Sequence, residues 1–349
     1  MTVSQKNPVG ILGFEFVEFA SPNPEALNKL FKDLGFSRTK SHTSLKADYY
    51  NQADIHFLVN NDPSSFAQSF MTLHGPCACA TGWRVENAEK AYQIAIARGA
   101  KPAPVSDYSR NGKKVPAILG VGDSVIYFID DFKRKDLYEQ LGFALAKNPE
   151  MVPGKGFALM DHLTNNVDQG QLMPLADFYK NVFGFEEVRY FDIRGQKTGL
   201  LSYALRSPCG SFCIPINEGT EAKSQINEYL REYKGPGIQH IALLTPNMLS
   251  TMDLMKDADF DTLDIDADYY DDVFKRIPHV TEDHKKIKDY NLLVDGDDKG
   301  YLIQIFSHNV IGPIFFEFIQ RKNNLGFGEG NFGALFRAIE RDQERRGVL

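Results

Sequence analysis

The chain is poor in cysteine, in tryptophan and in positive charge, and each shortage closes off a class of function. Four cysteines in 349 residues (Cys77, Cys79, Cys209 and Cys213) are too few for a disulfide scaffold. None stands in a Cys-x-x-Cys pair, which argues against a zinc knuckle. A net charge of −7 leaves no surplus of Lys and Arg to neutralise phosphates, so neither nucleic acid nor an anionic membrane surface is expected as a partner. No apolar run approaches the roughly 20 residues that a bilayer span needs; Val310–Ile319 is among the longest. Met1–Val9 has no apolar core of the signal-peptide kind, and a cytoplasmic location is the expectation.

What is present is aromatic. There are 26 Phe and 15 Tyr against a single Trp, and much of the Phe lies near the C-terminus. Apolar content of 43% with 24% charged residues is that of a globular protein, and a chain of this length is expected to form two domains.

A repeating order of elements runs along the chain. Gly10–Phe19 reads as a strand. Asn23-Pro24 then caps and starts a helix with apolar residues at Leu27, Leu30, Phe31 and Leu34, and Gly35 stops it. Strands are expected at Ser44–Gln52 and Asp54–Asn60. A second cycle has a strand at Ala78–Val85, a helix from Asn87 to Gly99, and strands at Val115–Gly120 and Ser124–Ile129. Lys133–Lys155 reads as a polar helix and a Pro/Gly connector, which sets a boundary between domains 1–150 and 151–349. The order then recurs: strand Phe157–Asn165, helix Pro174–Phe183, and strands Glu186–Ile193, Gly199–Leu205 and Ser211–Ile216. A fourth cycle has a strand at Ile238–Leu244, a helix capped by Asn247, and strands Leu292–Val294, Tyr301–Phe306 and Ile314–Gln320. A last helix spans about Gly333–Arg346. The fold class expected is α+β: four tandem βαβββ units, two per half, each pair bent into an open barrel, plus the C-terminal helix.

Overlaying the halves isolates three residues. His162 falls at the position of Phe16, His240 at that of Ala80, and Glu317 at that of Tyr127. The second half has metal-capable groups where the first has apolar or phenolic ones, and strand alternation aims all three inward. Taken singly, either His reads as a hydrogen-bonded core residue, and Glu317 as an ion-pair partner of Arg321 or Arg206. Jointly, two His and a carboxylate on separate strands form the facial set of non-haem iron(II) oxygenases, with positions left open. A carboxylate within Ile314–Ile319 is costly to bury unless it is paired or metal-bound. The other histidines, His42, His56, His74, His279, His284 and His308, read as structural, with His308 the spare ligand.

Several runs then resemble one family. Gly237-Ile238-Gln239-His240-Ile241-Ala242, Leu302-Ile303-Gln304-Ile305-Phe306, Phe315-Phe316-Glu317-Phe318-Ile319-Gln320-Arg321 and Gly326-Phe327-Gly328-Glu329-Gly330-Asn331-Phe332 look like signatures of bacterial 4-hydroxyphenylpyruvate dioxygenases. So do Pro215-Ile216-Asn217-Glu218 and Lys223-Ser224-Gln225-Ile226. These enzymes belong to the vicinal oxygen chelate superfamily, built of βαβββ units. The resemblance implies Fe(2+) on His162, His240 and Glu317. It implies substrate contacts from Gln225, Gln239, Gln304, Ser202 and Asn217, with Phe306 and Phe332 bracketing the ring and Phe327 and Leu335 at the rim. It also implies conversion of 4-hydroxyphenylpyruvate and O2 to homogentisate and CO2 in tyrosine and phenylalanine breakdown, by a homodimer or homotetramer. The alternatives are a 4-hydroxymandelate synthase acting on the same substrate, an extradiol ring-cleaving dioxygenase, and a metal-free binding module of the same fold. The last helix is expected to gate the cavity, hinged at Gly328, Gly330 and Gly333.

Overall fold

The computed structural model describes residues 6–349. The reading of Met1–Val9 therefore falls largely outside the described residues. The first half supplies β1 (Ile11–Ala20), α1 (Pro24–Asp33), β2 (Ser37–His42), β3 (Ala47–Gln52), β4 (Ile55–Asn60), α2 (Phe66–His74), β5 (Cys77–Val85) and α3 (Ala88–Ala97). It continues with a two-residue ribbon, β6 (Ser109–Arg110) and β7 (Lys113–Lys114), then β8 (Ala117–Leu119), β9 (Val125–Ile129), α4 (Leu137–Gln140) and β10 (Phe143–Glu150). The second half supplies β11 (Leu159–Val167), α5 (Leu172–Phe178), β12 (Glu186–Arg194), β13 (Gly199–Arg206), β14 (Cys213–Gly219), α6 (Gln225–Tyr233) and β15 (Gly237–Leu244). It ends with α7 (Met248–Met255), α8 (Tyr269–Arg276), α9 (His284–Asp289), β16 (Leu293–Asp297), β17 (Gly300–Phe306), β18 (Phe315–Lys322) and α10 (Phe332–Arg345).

Two curled eight-stranded sheets result, ordered β10-β2-β3-β4-β1-β5-β9-β8 and β12-β13-β14-β11-β15-β18-β17-β16. Each centres on an antiparallel pair, β1 with β5 and β11 with β15, flanked by parallel neighbours. The capping chemistry read from the sequence holds: the side chains of Asn23, Asn87 and Asn247 accept from Ala26, Lys90 and Ser250 backbone N–H groups.

One expectation needs correction. The Lys133–Lys155 segment is not a polar helix with a connector, because only Leu137–Gln140 is helical and Phe143–Glu150 is an edge strand against β2. Pro149 misled the reading, but it lies where the ladder skips from Leu145 to Glu150, a place that needs no N–H donor. In the second unit a lone Pro102–Ile118 bridge stands where the fourth unit has β16. Five elements were also unforeseen: the polar strand β2, the matching helices α2 and α6, and the helices α8 and α9 before β16.

The curl of the first sheet is filled. Phe16, Tyr108, Tyr127 and Phe143 are buried in one apolar cluster there. Each such ring contributes roughly 1.5–3 kcal/mol by its burial. The second sheet forgoes part of that stabilisation and keeps its interior open. A separate cluster, including Phe14 against Phe212 at 3.9 Å and Trp83 against Phe183 at 4.9 Å between ring centroids, joins the two halves.

Candidate active site

Strand register brings the three overlay residues to one place. His162 pairs with Ala242 and Ala242 with Glu317, while His240 pairs with Thr164 two residues along the same ladder. In the first half Phe16 pairs with Gly82 and Gly82 with Tyr127, and Ala80 pairs with Glu18. The correspondence drawn from the overlay is the one the ladders give. Nε2 of His162 lies 3.1 Å and Nε2 of His240 lies 3.5 Å from Glu317 Oε2. One ligand atom from each of the three residues falls within 4.8 Å of the others.

A β-bulge stands beside each histidine. Met160 pairs with Leu243 and His162 with Ala242, so Asp161 is an extra residue in β11. Thr164 pairs with His240 and Asn165 with Ile238, so Gln239 is an extra residue in β15. A bulge bends its strand and re-aims its side chains. Here each bulged residue meets the ring that follows it: Asp161 Oδ2 is 2.8 Å from His162 Nδ1, and Gln239 Oε1 is 3.0 Å from His240 Nδ1. With Nδ1–H donating to these oxygens, each ring directs Nε2 at Glu317.

Electrostatics favour an ionised carboxylate here. Burial alone would raise the Glu317 pKa, but His162 and His240 outweigh it and hold it down to about 2. Burial would lower His162, yet Glu317 and Asp161 push it up to about 9. His240 is lowered, with burial the main cause. Two imidazole nitrogens and a buried carboxylate, turned together and bordering a cavity, fit a divalent first-row metal with open positions. Glu317 pairs with neither Arg321 nor Arg206; Arg321 is taken by Asp161. His308, the spare ligand of the sequence reading, stays out of the group and pairs with Asp342 at 3.1 Å.

The cavity opens from this group into the second curl, and every residue named from the sequence lies on its wall. Ser202 on β13 and Asn217 on β14 are direct cross-strand partners. Gln225 begins α6, and Gln304 and Phe306 come from β17. Phe332 and Leu335 come from α10, and Phe327 from the loop before it. Gln304 is buried, with an Oε1 that meets no hydrogen-bond partner, so it offers an orphaned acceptor on the cavity wall. Several wall residues were not foreseen. Thr164 Oγ1 is 3.0 Å from His240 Nε2. Phe315 stacks on the His240 ring at 4.8 Å, and Phe191 meets Phe332 edge-on at 5.2 Å. The acid-then-His pair Asp161-His162 inside an apolar strand was the one available signal for the bulge.

Two of the three glycines expected to hinge stand at close approaches. Gly328 adopts φ +79°, and a Cβ there would stand 2.3 Å from Gln304 Oε1. Gly330 donates to Asp295 Oδ2 at 2.9 Å and lies so close beneath Arg276 that no side chain fits. Among the three glycines only Gly333 has free space around it.

Comparison with known proteins agrees with this site. Residues 5–144 match the family model described as hydroxyphenylpyruvate dioxygenase, HPPD, N-terminal, and residues 159–305 match that of the glyoxalase/bleomycin resistance protein/dioxygenase superfamily. The chain is 53% identical to Protein MelA of Shewanella colwelliana, over 99% of each chain. It is 42% identical to the 4-hydroxyphenylpyruvate dioxygenase of Pseudomonas aeruginosa, over 99% of this chain and 98% of that one. Among solved structures, a xylose isomerase-like TIM barrel/4-hydroxyphenylpyruvate dioxygenase fusion protein superposes with a TM-score of 0.81 at 29% identity, over 97% of this chain and 54% of the longer fusion. A dioxygenase of the vicinal oxygen chelate fold is what these relatives and this metal-capable site describe in common, and the chain belongs to the 4-hydroxyphenylpyruvate dioxygenase family.

Proposed function

We propose that the protein converts 4-hydroxyphenylpyruvate and O2 to homogentisate and CO2, using one Fe(2+) held by His162, His240 and Glu317. The observation that supports this best is the convergence of those three groups in a cavity whose wall carries phenyl rings and neutral amides. The metal, when bound, would anchor the 2-oxo acid arm of the substrate and activate O2 beside it, the electrons for O2 reduction coming from the substrate. The protein's own part is positioning and exclusion of water. Phe306 and Phe332 hold the aromatic ring. Gln225, Gln239, Gln304, Ser202 and Asn217 offer neutral hydrogen bonds that orient the substrate without competing for a cation. Phe327 and Leu335 close the rim, and α10 covers the mouth.

On this reading residues 151–349 form the catalytic half. Residues 1–150, whose equivalent positions are Phe16, Ala80 and Tyr127, serve as a scaffold and as the interface of a homodimer or homotetramer. The setting is cytoplasmic tyrosine and phenylalanine breakdown. The test is incubation of protein prepared without oxygen with iron(II), then O2 and 4-hydroxyphenylpyruvate, and chromatography of the product. Homogentisate in step with O2 uptake supports the proposal. A 4-hydroxymandelate peak, or no uptake, overturns it.

A further inference from the structure

The extra residue in β11 does more than turn one ring. Asp161 is gripped from its far side by Arg321 on β18, whose Nε donates to Oδ1 and Nη2 to Oδ2, each at 2.7 Å. This is the bidentate geometry in which a guanidinium fixes a carboxylate in both position and angle. Both side chains are nearly buried, at 11% and 12% exposed. The remaining Arg321 nitrogen, Nη1, donates to the carbonyl of Gly326 at 2.7 Å and more weakly to that of Asn324 at 3.3 Å. Residues 324–328 carry Phe327, whose ring stands edge-on to the His162 ring with centroids 5.8 Å apart. One arginine thus touches both the carboxylate that orients His162 and the loop that places a cavity-wall phenyl over the same imidazole.

The first half shows what such a carboxylate does without a histidine beside it. Glu15 occupies the matching bulge between Phe14 and Phe16, is buried, and is held by Arg84 Nε at 2.6 Å. The residue that follows it is Phe16, which offers no nitrogen. Its second oxygen accepts from Tyr138 Oη at 2.8 Å instead. In the second half the corresponding oxygen faces His162 Nδ1. The bulge with a buried acid held by an arginine recurs in both halves, although the arginine comes from β5 in the first and from β18 in the second, and its use as a ring-orienting device belongs to the second half.

We propose that Asp161 and Arg321 act as one positioning pair, coupling the orientation of His162 to the placement of the 324–328 loop, so that metal retention and closure of the Phe327 wall depend on the same two side chains. The proposal rests on the reading of His162 as a metal ligand. It makes Arg321, which touches none of the three ligand groups, a determinant of metal affinity.

The test uses the full chain, stripped of metal and titrated with cobalt(II), alongside limited proteolysis of the 322–331 segment. Asp161→Asn and Arg321→Gln are each expected to weaken cobalt binding by roughly 10- to 100-fold, the usual effect of removing a ligand's hydrogen-bonding partner. Arg321→Gln should also speed cleavage within 322–331. The double variant should be no weaker than the weaker single one, because the two residues act as a unit. Arg321→Lys keeps the charge but lacks the planar fork that reaches both Asp161 oxygens and the Gly326 carbonyl, so it should recover only a minor part of the affinity. It also serves as the second variant if Arg321→Gln does not fold. Wild-type affinity in folded Arg321→Gln and Arg321→Lys, or additive losses in the double variant, would overturn the coupling. Binding unchanged by His162→Ala would overturn the ligand reading itself, a result distinct from failure of the pair.

Discussion

Oε1 of Glu340 lies 2.9 Å from the backbone nitrogen of Thr198, so a buried carboxylate on the last helix is inserted into the β12–β13 turn. It also accepts from the Lys197 nitrogen at 3.0 Å and the Thr198 hydroxyl at 3.1 Å, while Oε2 accepts from the Gln196 nitrogen at 3.2 Å. This buried carboxylate is the clasp that ties α10 to the β12–β13 turn. Hydrogen bonds to a charged group contribute about 1.5–3 kcal/mol each, and the donors left behind here would regain water in part, so Glu340→Ala should destabilise by about 3 kcal/mol. The expected signature is a lower Tm and a raised KM with metal content unchanged. Loss of metal along with the helix contact would show that α10 supports the whole site rather than its mouth.

Metal binding should expel a proton. In the metal-free protein His162 is held up to about 9, so at neutral pH it is an imidazolium between two carboxylates. A ligand nitrogen must be bare. Apparent affinity for iron(II) or cobalt(II) should therefore rise by about tenfold per pH unit below that value and level off above it. The sign for stability is the opposite. A His pKa raised from 6.5 stabilises the metal-free fold below 6.5, and that contribution fades as the pH climbs to about 9. Calorimetric titration at neutral pH in buffers of differing ionisation enthalpy reads the proton directly, and a zero count would refute the argument.

Glu18 gives a pH dependence of its own, far from the metal group. Burial and the neighbouring Asp107 raise it from 4.5 to about 8, against hydrogen bonds from Asn60 and Tyr108 that lower it. Below 4.5 both folded and unfolded chains hold the proton. Between 4.5 and 8 only the folded chain keeps it, so stability falls as pH rises, by up to about 1.4 kcal/mol per unit. Glu18→Gln keeps the acceptor for Asn60 and Tyr108 and removes the titration. Urea unfolding at pH 5, 6.5 and 8 should show the variant gaining on the wild type at each step. Parallel curves would mean that Glu18 ionises freely.

Phe306 stands edge-on to the rings of both His240, at 6.4 Å, and Phe315, at 6.3 Å. Shortening it to Val opens space beside the metal group and should let the substrate ring retreat from the oxidising position. Under the proposed reaction, 4-hydroxymandelate should gain on homogentisate by about tenfold in the product ratio, a change of about 1.4 kcal/mol in relative barriers. An unaltered ratio with normal turnover would assign the choice of product elsewhere on the wall.

The site was more legible in the sequence than parts of the fold. His162, His240 and Glu317 stood out because duplication supplies an internal reference, and a polar residue is conspicuous where its counterpart is Phe16, Ala80 or Tyr127. Strand β2, Ser-Arg-Thr-Lys-Ser-His, was invisible because it is half-exposed along nearly all its length and shows no alternation. Helices α2 and α6 have good caps at Ser65 and Ser224, but each is only two to three turns long and follows directly on a strand and its turn. The bulges left no periodic trace. One inserted residue shifts the alternation by a single place, and an observer who counts strictly by twos sends Asp161 and Gln239 to the wrong face.

Both halves carry a kink at the same two places, with Glu15 and Cys79 as the surplus residues in the first and Asp161 and Gln239 in the second. Since the first half folds around those kinks with Phe16 and Ala80 where the second has His162 and His240, the distorted backbone does not depend on an ion for its shape. A chain stripped of its ligand side chains has a stable precedent within its own sequence: such variants should be silent yet well folded, and the metal can come and go from a mould that is already set.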